Sequence, residues 1–245
     1  MDIEVDLRTK TQQGMLWSFI EKLTVYGINF IINIIIARVL FPEDFGLIGM
    51  LAIFTALSNI FIDSGFTTAI IQKKNRTEID YSTVFFANFL ISILVYLCLY
   101  FLAPYISNFY NTPELTLITR VIFINVIVQS LTLVQFAKLT IEMDFKSKAI
   151  INSISVLVSG IIGILFAFLG YGVWSLVFQT LSKTTISLFA LTIVKRWKPL
   201  FVFSKESFSQ LFKFGNKLMI AGTIATIVNN LYTIIIGKHF SAKDV

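Results

Sequence analysis

Seven apolar stretches, each long enough to cross a bilayer, occupy most of this 245-residue chain. A helical span needs roughly 20 largely apolar residues to traverse a hydrocarbon core about 30 Å thick. The stretches fall near residues 15–38, 45–71, 84–103, 116–137, 149–169, 173–194 and 217–236. Only helices or closed barrels satisfy backbone polar groups in lipid. Each stretch is near-continuously apolar over about 20 residues, whereas a barrel strand alternates over about 10, so the helical solution is selected. The expectation is an all-α polytopic transmembrane bundle of about seven spans. A composition with 56% hydrophobic and 14% charged residues fits a chain solvated mainly by lipid.

The basic residues sort by connection. Arg8 and Lys10 precede the first span, and Lys73, Lys74 and Arg76 follow the second. Lys138, Lys146 and Lys148 follow the fourth; Lys195, Arg196, Lys198, Lys205, Lys213 and Lys217 follow the sixth. The other side has Arg38, Arg120, Lys238 and Lys243, while Lys22 and Lys183 fall inside spans. Fourteen against four places the N-terminus in the cytoplasm by the positive-inside rule. The net charge of +6 then belongs to loops facing anionic lipid and is not a nucleic-acid footprint. The first span reads as an uncleaved signal anchor, since no small-residue cleavage site follows it. Cys98 is the only cysteine, which excludes an intrachain disulfide, and it reads as a small core hydrophobe.

A shift of 200 residues lays Asn229-Asn230 through Ile234-Ile235-Ile236-Gly237-Lys238 on Asn29-Phe30 through Ile34-Ile35-Ile36-Ala37-Arg38, and Asp244 on Asp44. Six spans return the chain to its starting side, so a second copy would be a parallel repeat about an axis along the membrane normal. The expected organisation is a six-helix lobe over residues 1–200. An interfacial amphipathic helix and the first helix of an incomplete second lobe follow over 201–245.

Several connections resemble the polysaccharide flippase family. They are Ala37-Arg38-Val39-Leu40-Phe41-Pro42-Glu43-Asp44-Phe45-Gly46, Asp63-Ser64-Gly65-Phe66 with Ala69-Ile70-Ile71-Gln72-Lys73, and Phe109-Tyr110-Asn111-Thr112-Pro113-Glu114-Leu115. Glu142-Met143-Asp144-Phe145-Lys146 and Gly170-Tyr171-Gly172-Val173-Trp174-Ser175-Leu176-Val177 continue the series. The resemblance implies two six-helix lobes around a central cavity that moves undecaprenyl-pyrophosphate-linked sugars across the bacterial inner membrane. It also implies membrane lipid, a polysaccharide polymerase and chain-length machinery as partners. The chain lacks nearly all of a second lobe; if complete, it would dimerise to build a cavity or be an inactive remnant or assembly subunit.

Polar residues inside spans are costly, so each is a functional candidate. Lys22, Tyr26, Asn29 and Asn33 form a stripe at helical spacing on the first span, beside Glu21. Asn125, Gln129 and Thr132 share a face of the fourth, where Arg120 lies a turn from the outer end; Gln179 and Lys183 are a turn apart on the sixth. A diphosphate-linked glycan needs cations for its phosphates and amides or hydroxyls for its sugars. Lys183, Lys22 and Arg120 can supply charge, and Asn29, Asn33, Asn125, Gln129 and Gln179 hydrogen bonds; the structural alternative has the amides bonding between packed helices. Asp63 is a coupling candidate, by pairing with a lysine or binding a cation. Arg38 and Asp44, in the link where Pro42 and Gly46 stop and restart the helix, are candidates for an outer gating contact or simple caps. Residues 204–214 form an amphipathic stretch with Phe208, Leu211 and Phe212 on one face, which reads as a helix on the membrane interface.

No catalytic, metal or cofactor signature stands out: His239 is the sole histidine, and no Walker-type loop is present. A cation-coupled drug antiporter would favour a more acidic or aromatic interior than this one. An envelope glycan polymerase would need larger outer loops than 104–115, where Glu114 is the only acid.

Overall fold

In the computed structural model the backbone is described for residues 2–239 and the side chains for 12–239, save 234, 237 and 239. The side chains of Arg8, Lys10 and His239, and residues Lys243 and Asp244 altogether, lie outside the described residues.

The described residues form ten helices, seven of whose runs are long and apolar enough to cross a membrane. The first span is carried by α1 (Asp2–Ala37). The second is built from α2 (Pro42–Met50), α3 (Ala52–Asp63) and α4 (Phe66–Gln72). Next come α5 (Glu78–Tyr110), then α6 (Leu115–Ile122) with α7 (Ile124–Ile141) as a fourth span. The last three are α8 (Phe145–Phe168), α9 (Val173–Lys195) and α10 (Lys205–His239). The protein is thus an all-α, multi-pass membrane bundle. Two spans are interrupted in ways that hydropathy does not register. Ser64 and Gly65 both take left-handed backbone (φ 44° and 70°) between α3 and α4, and Phe123 breaks the fourth span. The third span exceeds its expected boundary, because α5 continues through Pro104 to Tyr110.

Helix packing divides the bundle. One side is a layer of α1, α8 and α9; the other is α3, α5 and α7, with α7 also touching α9. Lipid tails are as apolar as leucine, so association inside a membrane depends on close approach and interhelical bonds. Glycine provides the approach between α1 and α8. A Cβ on Gly160 would lie 1.9 Å from the Ile32 side chain, and one on Gly14 would lie 2.8 Å from the Phe145 ring. Buried hydroxyls provide the bonds: Ser187 Oγ donates to Ser155 Oγ (2.9 Å) between α9 and α8, and Ser92 Oγ to Ser130 Oγ (3.0 Å) between α5 and α7.

The connections at the basic end are bolted to α5. Lys138 Nζ and Trp197 Nε1 both donate to Glu78 (2.7 and 2.8 Å), and Lys73 pairs with the buried Asp80 (2.7 Å). The backbone N–H groups of Leu200 and Ser204 donate to Ser82 Oγ and Thr83 Oγ1 (2.9 and 3.1 Å). Lys195 bridges Glu142 and Asp144.

Residues 205–214 are the opening turns of α10, which runs unbroken into the seventh span. Their apolar face is turned onto protein: Phe208 and Phe212, stacked at 5.5 Å, pack on the fully buried Phe66, and Leu211 joins the same core. The amphipathic pattern that suggested a membrane-surface helix is used here to dock α10 on α4. Just beyond, α10 crosses the α3–α4 break in backbone contact, where a Cβ on Gly215 would lie 2.3 Å from the Ser64 carbonyl oxygen. Cys98 is exposed on the outside of α5 and is not a core residue.

Candidate functional site

A cavity of about 460 Å³ opens between α1, α7, α8 and α9. Its lining comprises Asn29 from α1, and Asn125, Gln129, Thr132, Leu133 and Phe136 from α7. Asn152 and Ser159 come from α8, and Gln179, Thr180, Lys183, Thr184 and Ser187 from α9. The volume lies within the about 300–1,000 Å³ of small-molecule pockets, but the walls are more polar than usual for such sites.

The local folding explains how so much polarity is tolerated at bilayer depth. Most lining hydroxyls return a hydrogen bond to their own helix: Thr132 to Gln129 O (2.7 Å), Thr180 to Leu176 O (2.9 Å) and Ser159 to Val156 O (3.1 Å). Their lone pairs stay free for a guest. Asn29 Nδ2 donates to Val25 O (2.8 Å), and Asn152 Nδ2 to Glu21 Oε1 (2.5 Å), which ties α8 to α1 at the cavity's basic end. Asn125 Oδ1 is buried without a protein partner. Gly163 makes room for Gln179, whose side chain lies 3.0 Å from where a Cβ would stand.

Lys183 is ten residues from the start of α9 and twelve from its end, which puts it at mid-membrane. The contacts Ser155–Ser187 and Gly163–Gln179 set the α8–α9 register, so Lys183 lies level with Ser159. No carboxylate is among the lining residues, and Lys183 forms no ion pair among the described residues. The cavity therefore carries one lysine without an ion-paired carboxylate, amid amides and hydroxyls, with Glu21 behind Asn152. That is an environment for an anion with a polyhydroxylated body.

Of the eight residues read from sequence as cavity candidates, the structure brings together Lys183, Asn29, Asn125, Gln129 and Gln179. The other three stand apart. Lys22 lies in a separate groove of about 420 Å³ with Met15, Phe19, Met143 and Phe145, seven residues before Asn29 on α1. Asn33 is exposed outside the cavity lining. Arg120 packs its guanidinium over the Tyr100 ring (4.4 Å to the centroid), away from the cavity.

Among the coupling and gating candidates, Asp63 Oδ1 accepts from Thr67 N–H (2.9 Å) across the α3–α4 break and lines a small crevice with Asn59 and Thr68 against α10. Asp44 accepts from Phe41 N–H (3.1 Å) as a cap of α2, and its Oδ1 lies 3.1 Å from where a Gly172 Cβ would be. Arg38 is exposed. Sequence reasoning missed Asn152, Ser159, Thr180, Thr184 and Ser187. The signal available for them is helical spacing: Thr180, Thr184 and Ser187 share the α9 face of Gln179 and Lys183, and Asn152 and Ser159 lie two turns apart on α8.

Fold and cavity together define a multi-pass membrane protein with a polar, cationic interior, and comparison with known sequences places it more closely. The model of the family described as "Polysaccharide biosynthesis protein" matches residues 35–245, and the chain belongs to that family. It is 26% identical to the succinoglycan biosynthesis transport protein ExoT of Rhizobium meliloti, over 93% of this chain and 46% of that protein. It is 27% identical to the teichuronic acid biosynthesis protein TuaB of Bacillus subtilis, over 77% of this chain and 40% of that one. With the lipopolysaccharide biosynthesis protein WzxC of Escherichia coli it shares 25% identity over 97% of this chain and 49% of WzxC. The chain thus spans about half the length of the curated relatives it matches. No solved structure matches it.

Proposed function

We propose that this chain forms one lobe of a carrier that flips undecaprenyl-pyrophosphate-linked oligosaccharide across the bacterial cytoplasmic membrane for surface polysaccharide biosynthesis. The N-terminus and the basic end would face the cytoplasm. The observation that carries this reading is the cavity itself: one mid-membrane lysine, five amide side chains and no carboxylate among its lining residues. A drug–cation antiporter would place acids where this cavity has amides. Lys183 would hold the diphosphate as a point charge, and Asn29, Asn125, Gln129, Asn152 and Gln179 would bond the first sugars. The prenyl tail would stay in lipid while the site opens to alternate sides, with a second lobe of like size closing the remaining wall. Asp63, Asp44 and Arg38 would serve coupling or gating in that cycle, and the polymerase would receive the exported unit.

The test is substitution at the native locus. A charge-assisted bond to phosphate contributes about 1.5–3 kcal/mol, so Lys183→Gln should lower the export rate by about ten- to a hundredfold, while Lys183→Arg should retain most of it. Surface polysaccharide and the lipid-linked unit accumulated inside are both measured. Unchanged export in Lys183→Gln, with the protein present at normal level, would reject the proposed role of the cavity.

A further inference from the structure

Residues 196–204 join α9 to α10 without forming helix. Their order is Arg196-Trp197-Lys198-Pro199-Leu200-Phe201-Val202-Phe203-Ser204, and Lys205 opens α10. Cations thus bracket a run, from Pro199 to Phe203, that has no polar side chain. Leu200, Val202 and Phe203 are about half exposed, and Phe201 at 96% is the most exposed large apolar side chain among the described residues. Apolar surface of this kind, rimmed by polar groups, marks a contact with a partner or a membrane.

Three observations select the membrane. First, the connector is tied to α5 beyond that helix's last charged residue, Asp80: Leu200 N–H donates to Ser82 Oγ and Ser204 N–H to Thr83 Oγ1. Val202 N–H donates to Leu200 O (2.7 Å), and Pro199 has no N–H to satisfy. Irregular backbone is tolerated at membrane depth only where its polar groups are met in this way. Second, the Phe201 ring lies 5.9 Å from that of Phe86, which is six residues, about 9 Å of helical rise, past Asp80. Phe86 heads a stripe at helical spacing, Leu90, Leu94, Leu97 and Phe101, all exposed on α5, so the connector's tip continues that lipid-facing surface. Third, Arg196, Lys198 and Lys205 are exposed and unpaired among the described residues, with Glu206 the one acid beside them in sequence. The neighbouring Lys138 and Lys195 are already matched by Glu78, Glu142 and Asp144.

We infer that the α9–α10 connector is a membrane-surface anchor for an anionic leaflet. Leu200, Phe201 and Val202 are immersed at the head of the acyl region, and Arg196, Lys198 and Lys205 lie among the phosphate head groups. The Phe203 ring, packed on Phe208 at 5.7 Å, joins the anchor to the docked start of α10 and so holds that helix at a fixed depth. The connector thereby takes the interfacial place that the amphipathic pattern of residues 204–214 suggested for the stretch that follows it. The anchor is independent of the cavity around Lys183 and of whatever that cavity carries.

The experiment is fluorescence quenching of a nitrobenzoxadiazole label on Phe201→Cys, in the full chain with Cys98→Ser, reconstituted in vesicles of phosphatidylglycerol and phosphatidylcholine. Labels on the exposed Leu94→Cys of α5 and Asn75→Cys of the α4–α5 turn supply the acyl and aqueous references. The label at 201 should be quenched by lipid brominated near the head of its acyl chains and shielded from iodide, as at 94 and unlike 75. Each basic residue near an anionic surface adds about fivefold in affinity, so phosphatidylglycerol should be enriched beside the label by about fivefold or more, read by brominating one lipid at a time. Arg196→Gln, Lys198→Gln and Lys205→Gln together should remove that enrichment. Iodide access at 201 equal to that at 75 would overturn the proposal. So would a label shielded from iodide and brominated lipid alike, which would mean that protein covers the tip, or an enrichment that is absent or survives the triple substitution.

Discussion

Gly215 and Gly222 lie two turns apart on α10, yet replacing each with alanine should shift stability in opposite directions. At Gly215 a Cβ would stand 2.3 Å from the Ser64 carbonyl oxygen and 3.3 Å from Gly65 Cα, both backbone atoms that cannot rotate away. The helix must back off from the α3–α4 break, and overpacking of this kind costs about 1–3 kcal/mol. At Gly222 the nearest atoms are the Ile60 side chain at 3.6–3.8 Å, ordinary van der Waals contact, so the methyl group fits. There alanine gains the helix-propensity difference, about 1 kcal/mol at most. The same propensity gain offsets part of the overpacking at Gly215, so with roughly 2–4 °C of midpoint per kcal/mol for a chain of this size, Gly215→Ala should lose up to about 8 °C and Gly222→Ala gain up to about 2–4 °C. Thermal melts followed by size-exclusion fluorescence in one detergent read both. A Gly215→Ala protein stabilised as much as Gly222→Ala would refute the close backbone crossing.

Three further outcomes follow from the basic end and the α8–α9 seam. Asp80→Asn strands Lys73 beside a buried amide. The loss should be about 2–3 kcal/mol, below the roughly 3–5 of a fully buried pair because Lys73 is a quarter exposed, and is read as a drop in melting midpoint. Burial works to raise the Asp144 pKa, but the bonds from Ser147 and the Lys195 ammonium outweigh it and hold the carboxyl below its ordinary value. Its contribution is therefore full at neutral pH and lost as pH falls through about 4 and below. The unsubstituted chain should melt above Asp144→Asn at pH 7, and the gap should close in acid; a pH-independent gap would contradict the pairing. A double-mutant cycle of Ser155→Ala and Ser187→Ala should return a coupling of about 0.6 kcal/mol; zero coupling would mean the two hydroxyls do not share a bond.

The seven spans were legible because hydropathy integrates over twenty residues and forgives local irregularity. The breaks at Ser64–Gly65 and Phe123 were not, since each is set by a tertiary contact. α10 presses its backbone on the first, and the core around Leu115 and Val126 holds the second. Five cavity residues were visible as amides or a lysine at helical spacing, because such groups are rare in lipid. The serines and threonines beside them were not, since a hydroxyl that bonds its own helix carries no hydropathic cost to flag it. Lys22 and Arg120 show the converse limit: rarity marks a charge as constrained but leaves its partner unknown, which for Arg120 is the Tyr100 ring. The basic connections looked like bare cations facing lipid, whereas Glu78, Asp80, Glu142 and Asp144 neutralise several of them at distances no linear reading supplies.

The unbroken course of α10 past Gly215 has a mechanical consequence. About 15 Å of rod lies on the docked side of the crossing and about 36 Å beyond it, at 1.5 Å per residue. A stiff beam hinged there acts as an unequal lever. A sideways shift of one ångström where Phe208 meets Phe66, about 10.5 Å from the crossing, becomes about 3.4 Å of sweep at the far tip. The ratio is fixed by where the glycine sits along the helix, so moving that glycine by a turn would regear the beam without altering either end.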